Sequence, residues 1–232
     1  MKVGFFGGSF DPPHRGHIAL AQLAIERLNL DRVLIAPVGA QPLKRDGRAS
    51  SPFADRVAMV RLAVAHQPRM ELSLHDAPHP DGRPNYTIDT LRELRRELHP
   101  EDQLYCLMGA DSFLTIGKWH QAHQLLLLCD FVVASRPGFD LQKIAAALPQ
   151  EISLAAEENC APGCLVIGLR ASGEERSGPD GNRSRIYLLT DLEQDVSATE
   201  IRLELQAGVA EAEVDPAVAA YISRHSLYRN VG

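Results

Sequence analysis

Short apolar runs alternate with stretches whose apolar residues recur every three or four positions along the first 135 residues. Lys2–Phe6, Arg32–Pro37, Met70–Leu74, Gln103–Met108 and Asp130–Ser135 read as strands. Most are continuous rather than alternating, which suits a parallel sheet covered on both faces. Between them, His17–Leu28, Pro52–Ala65, Ile88–Leu98 and Gln121–Leu128 carry helical spacing. Ser51 before Pro52 and Thr87 before Ile88 supply start signals. The alternation predicts a doubly wound, Rossmann-like α/β fold: a mostly parallel sheet with helices on both faces.

The pattern then changes. Leu165–Leu169 and Arg185–Leu189 read as two more strands, separated by Ala171–Ser184, a Gly-, Ser- and charge-rich stretch expected to be a mobile loop. A small helical extension closes the chain. Its first helix opens with the capping pattern Ser197-Ala198-Thr199-Glu200 and stops near Gly208; its second starts at Asp215-Pro216. No internal repeat or linker interrupts residues 1–232, so one domain is expected.

Composition narrows the classes. The 232 residues are 45% hydrophobic and 23% charged, the balance of a globular protein. No apolar run approaches the roughly 20 residues of a membrane helix, and the N-terminal run is too short for a signal peptide. The cytoplasm is the expected compartment. Of the four cysteines, Cys106 and Cys129 sit in apolar runs and read as buried thiols. Cys160 and Cys164 lack the partners a structural zinc site needs. A net charge of −6 argues against a nucleic-acid polymer as partner but not against a small anion. The pattern does not select between monomer and homo-oligomer.

The chemistry concentrates in one turn. After the first strand comes "GGSFDPPHRGH", Gly7 to His17, leading straight into a helix. In open α/β sheets ligands collect beyond the carboxyl ends of the strands, where this turn lies. Gly7 and Gly8 allow close approach to the backbone, and the helix start offers free N–H groups and a positive dipole end. His14 and His17 can face one anion there, with Gly16 leaving room between them. A P-loop lysine and a G-x-G-x-x-G pattern are both absent. Three readings remain open on spacing alone: phosphate binding, a metal site with Asp11 as third ligand, or structural histidines.

The same segment resembles the signature of the HxGH nucleotidyltransferase superfamily, with His14-Arg15-Gly16-His17 as the motif. "RPNYTIDTLREL" (83–94), "MGADSFLTIGKWH" (108–120), "ASRPG" (134–138) and "VSATEIR" (196–202) extend the resemblance to the bacterial nicotinate-nucleotide adenylyltransferases. These make deamido-NAD and pyrophosphate from nicotinate mononucleotide and ATP. The stretch "DAPHPDGRPNYT" is longer than the usual short turn of that family.

The resemblance implies a set of roles. His14, His17, Lys44 and Arg202 become the catalytic set, holding the triphosphate, with His17 on the transferring α-phosphate. Gly7, Gly8, Ser9, Phe10, Gly16, Gly109, Asp111, Ser135, Arg136, Ser197 and Thr199 surround ATP. Tyr86, Thr87, Trp119 and the backbone at His120 hold the pyridine ring. Mg²⁺ is expected to arrive with ATP, held by phosphate oxygens and water, so no protein metal ligands are assigned. Phosphate attacking phosphate needs positioning and charge neutralisation more than a protein base, which fits a site without a nucleophile–base pair.

Plainer roles exist for several of these residues. Trp119 could anchor the core, Asp111 could cap a short helix, Lys44 could be solvated, and Arg202 could pair with an acid on its own helix. His75, His79, His120 and His123 read as loop or surface residues. Rival functions are adenylyl transfer to nicotinamide mononucleotide, phosphopantetheine or another phosphorylated acceptor, a nucleotide-binding regulator without turnover, and a metal-dependent hydrolase.

Overall fold

A computed structural model describes residues 1–41, 51–135, 141–171, 184–192, 198–207 and 213–228, with the side chains of 141 and 156–161 left aside. The strands are β1 (Lys2–Gly8), β2 (Arg32–Pro37), β3 (Met70–Leu72), β4 (Gln103–Gly109), β5 (Asp130–Ala134), β6 (Ile152–Ala161), β7 (Cys164–Ala171) and β8 (Arg185–Leu189). They form one eight-stranded sheet in the order β3-β2-β1-β4-β5-β8-β7-β6. Every pairing from β3 to β8 is parallel, while β8–β7 and β7–β6 are antiparallel.

The helices are α1 (Arg15–Leu28), α2 (Phe53–Val64), α3 (Thr87–Glu97), α4 (Ala110–Phe113), α5 (Ala122–Leu126), α6 (Leu141–Ala147), α7 (Ala198–Gln206) and α8 (Pro216–Arg224). Strand alternation sends neighbouring side chains to opposite faces. Val3, Phe5, Leu104, Cys106, Phe131 and Val133 therefore pack with Ile88, Leu91 and Leu94 of α3. Phe6, Val33, Ile35, Leu107 and Val132 pack on the other face with Leu20, Ala21, Ala24 and Ile25 of α1. A third cluster joins Met59 and Ala63 of α2 to Ile201, Val218 and Ile222 of the C-terminal helices.

Several expectations shift by a turn or less. Helix α1 starts at Arg15, two residues before the apolar periodicity does. Thr87 is the first residue of α3 rather than its cap; that position belongs to Tyr86. Nor does Ser51 cap α2, whose capping position is Pro52. The Asp215 side chain accepts from the Ala217 N–H at 2.8 Å and starts α8 as its sequence suggests. Cys106 and Cys129 are free and buried, and Cys164 is disulfide-bonded. No helix among the described residues is long and apolar enough to cross a membrane.

The topology positions the site. The chain runs outward from β1 to β2 and β3 on one side, and to β4 and β5 on the other. The strand order thus reverses between β1 and β4, and a crevice opens at their carboxyl ends. Gly7 and Gly8 end β1 beside Ala36 and Pro37 of β2, while Gly109 ends β4 beside Ala134 of β5.

Candidate active site

The turn after β1 is held from behind. Arg56, on the buried stripe of α2 with Met59, Val60 and Ala63, is 2% exposed. Its guanidinium donates to the Ser9 carbonyl at 2.8 Å and to the Ser51 carbonyl at 3.3 Å. Asp11 is buried beside it and accepts the Tyr228 hydroxyl at 2.7 Å through Oδ1. The Asp11 carbonyl accepts from Arg202 at 2.8 Å, and Arg202 also donates to Thr199 Oγ1 at 3.1 Å. Two elements far apart in sequence thereby fix one loop.

The histidines face forward from this support. Phe10 takes a left-handed conformation at φ 46°, and its ring centroid lies 4.8 Å from that of His17. His14 stands at the extended residue before α1, and its ring lies 3.6 Å from His17. The His14 backbone N–H donates to His17 Nδ1 at 3.2 Å. An accepting Nδ1 carries no proton, so the neutral ring bears it on Nε2, as a donor for a ligand in the cavity. Burial pushes the His14 pKa down to about 4 and that of His17 well below its ordinary value, helped by His14. Both rings are neutral at pH 7 in the ligand-free site.

An open cavity of about 760 Å³ lies over the crevice. Gly7, Gly8, Ser9, Phe10, His14, Gly16, His17, Gly109, Asp111 and Ser135 all line it. Ala198, the first residue of α7, reaches the same cavity. Thr199 follows it directly, and Arg202, one turn further along, donates to the Asp11 carbonyl and to Thr199 Oγ1. Lys44, Arg136 and Ser197 lie outside the described residues, as does nearly all of the 171–184 stretch.

A second cavity of about 410 Å³ shares Gly7, Gly8, Thr87, Ser112 and Trp119 with the first and adds Tyr86, His120, Asp76 and Asn85. The two make one cleft with two lobes. Trp119 is half-buried, packs against the core, and its Nε1–H donates to Thr115 Oγ1 at 3.0 Å. The His120 ring stacks on Tyr86 at 4.2 Å, so this histidine lines the cleft as well as offering backbone. Arg56 behind the turn, and Asp76 and Asn85 lining the second cavity, are residues that the sequence reading passed over. Among the described residues, no three His, Cys, Asp or Glu side chains gather as metal ligands.

The reversed strand order, the paired histidines at the start of α1 and the two-lobed cleft give an α/β fold with one site large enough for two ligands. The cytidylyltransferase-like family model matches residues 5–204. A probable nicotinate-nucleotide adenylyltransferase of Laribacter hongkongensis is 37% identical over 232 residues, covering 99% of this chain and 96% of its own. Its counterpart in Chromobacterium violaceum is 38% identical over 229 residues, covering 98% and 99%. The chain belongs to the nicotinate-nucleotide adenylyltransferase family. A Plasmodium falciparum nicotinic acid mononucleotide adenylyltransferase, solved in complex with NaAD, shares the fold with a TM-score of 0.66 at 18% identity, covering 98% of this chain and 97% of that one.

Proposed function

We propose that the larger lobe takes ATP, the smaller lobe takes nicotinate mononucleotide, and the chain joins them into deamido-NAD. An oxygen of the mononucleotide phosphate bonds to the α-phosphorus of ATP as the bond to the β-phosphate oxygen breaks. Pyrophosphate leaves with that electron pair. The attacking phosphate is largely ionised at neutral pH, so no protein group takes a proton. The protein's task is alignment and stabilisation of the charge that builds on the α-phosphate.

Each residue has a part in this reading. His17 donates from Nε2–H to the α-phosphate, and His14 with the α1 N-terminus receives the neighbouring phosphate oxygens. Gly109 and Asp111 flank the adenosine, together with Ser135. Lys44, Arg136 and Ser197 complete the ATP set on family resemblance. Arg202 and Thr199 bring the start of α7 against the phosphate end. Trp119 stacks on the pyridine ring, and backbone N–H groups at Thr87 and His120 meet its carboxylate. The donors that face the cleft suit phosphate better than a bare metal ion. Mg²⁺ would therefore be held chiefly by triphosphate oxygens and water, where it neutralises charge on the departing pyrophosphate.

The single observation that carries this reading is the cleft itself. Its two lobes meet at Gly7 and Gly8, beside His17, so two phosphates can come together there. Trp119→Ala tests the division of labour. Mononucleotide binding should weaken by about 1–3 kcal/mol, roughly 5- to 150-fold, by analogy with base–aromatic stacking. ATP affinity and melting temperature should change little, and Trp119→Phe should recover part of the loss. Equal weakening toward both substrates, with a large fall in melting temperature, would mark Trp119 as a core anchor instead.

A further inference from the structure

Asp76 is a buried acid on the wall of the smaller lobe. It follows β3 in the loop before α3 and is 4% exposed. Its backbone carbonyl serves the architecture, accepting from the Gly39 N–H at 2.7 Å and from Asn85 Nδ2 at 3.2 Å. The carboxylate divides its two oxygens between α3 and the lobe. Oδ1 accepts the Thr90 hydroxyl at 2.9 Å, and Oδ2 is turned toward the end of β1, 3.6 Å from where a side chain on Gly7 would begin. Asp76 is the one carboxylate among the described residues lining the smaller lobe. No described lysine or arginine forms an ion pair with it.

A buried carboxylate without a fixed cation is costly in a folded chain. Burial pushes its pKa up to about 6, against the opposing pull of Thr90, Asn85 and His79. The other titratable groups around it are the buried Cys106 thiol of β4 and, along the same lobe, Tyr86, Lys118 and His120. Such a cost is kept where a ligand repays it.

Building on the assignment of the smaller lobe to a pyridine mononucleotide, we propose that Asp76 is a specificity determinant, the counter-ion of the positively charged pyridinium ring. An N-glycosidic pyridine carries a formal positive charge that ATP and other phosphorylated acceptors lack. Trp119 and Tyr86 offer faces to any flat ring; Asp76 selects the charged one. Ionised Asp76 attracts the ring, and protonated Asp76 does not.

Asp76→Asn tests this, because the amide oxygen still accepts from Thr90 while the charge is gone. At pH 8 the variant should raise KM for nicotinate mononucleotide about tenfold or more, leaving KM for ATP unchanged. The wild-type to variant ratio of kcat/KM should shrink toward one below about pH 6, where Asp76 gains a proton. Titration of the substrate phosphate affects both proteins alike and cancels in that ratio. The 1,4-dihydronicotinate mononucleotide, with an uncharged ring and the same ribose phosphate, should inhibit both proteins equally. Melting temperature at pH 8 should hold or rise, since a desolvated charge has been removed.

Equal loss toward charged and uncharged rings would make Asp76 a hydroxyl-binding or loop-positioning residue and overturn the proposal. An unchanged KM at pH 8 would overturn it too, as would a fall in melting temperature with both substrates weakened. Failure of the underlying assignment looks different: wild-type enzyme would then turn over no pyridine mononucleotide at all.

Discussion

His17 shows what a single residue must satisfy to serve this chemistry. Its ring packs against Phe10 and His14, and its Nδ1 is engaged by the His14 N–H, so one tautomer is selected before substrate arrives. The sequence showed the pair and its spacing, yet not that burial keeps both rings neutral. His17 therefore presents its N–H at Nε2, and neither ring is a standing cation. His17→Ala should fold normally and lower kcat by about 10²–10³, the scale for losing one transition-state donor. KM for ATP should move less. Steady-state kinetics with both substrates saturating checks this, and a near-normal kcat in a folded variant would remove His17 from the mechanism. Asp76 and Arg56 were harder to read. A lone acid in a polar loop looks solvated, and only the Gly39 and Thr90 contacts reveal its burial. Arg56 had a readable sign, since it shares the apolar stripe of α2 with Met59, Val60 and Ala63.

At the scale of elements, every described strand but the edge strand β6 was legible, including β7 and β8. Buried parallel strands are continuous apolar runs, which is why β1, β2, β4 and β5 stand out in the sequence. The sixth strand does not. It reads "ISLAAEENCA", with Glu157, Glu158 and Asn159 inside it, and its pairing with β7 shifts register between Leu154 and Glu157. A bulged edge strand keeps no clean period, so nothing in its pattern distinguishes it from a loop. Helices α4 and α6 are too short to show periodicity. The strand ends nonetheless make a sharp expectation. A Cβ added at Gly109 meets no atom within 4 Å, although the residue lines the larger lobe. Gly109→Val should therefore leave melting temperature nearly unchanged while weakening ATP at least tenfold. Differential scanning fluorimetry with and without ATP reads both quantities. Unaltered ATP affinity would move the adenosine away from the end of β4.

The whole molecule is organised around one two-lobed cleft at the carboxyl ends of β1 and β4. Its reversed strand order opens a crevice beside Gly7 and Gly8. His14, Gly16 and His17 at the start of α1 line that crevice, and Arg202 of α7 and Tyr228 beyond α8 brace the turn from behind. This bracing explains why the third apolar cluster ties α8 to α2: residues near the end of the chain support a loop near its beginning. The most direct test measures pyrophosphate release with Mg²⁺ and ATP fixed, and nicotinate mononucleotide, nicotinamide mononucleotide and phosphopantetheine supplied in parallel. Nicotinate mononucleotide should give the highest kcat/KM, nicotinamide mononucleotide a lower one, and phosphopantetheine none above background. No pyrophosphate release with nicotinate mononucleotide, or faster release with either alternative acceptor, would contradict the assignment of the smaller lobe.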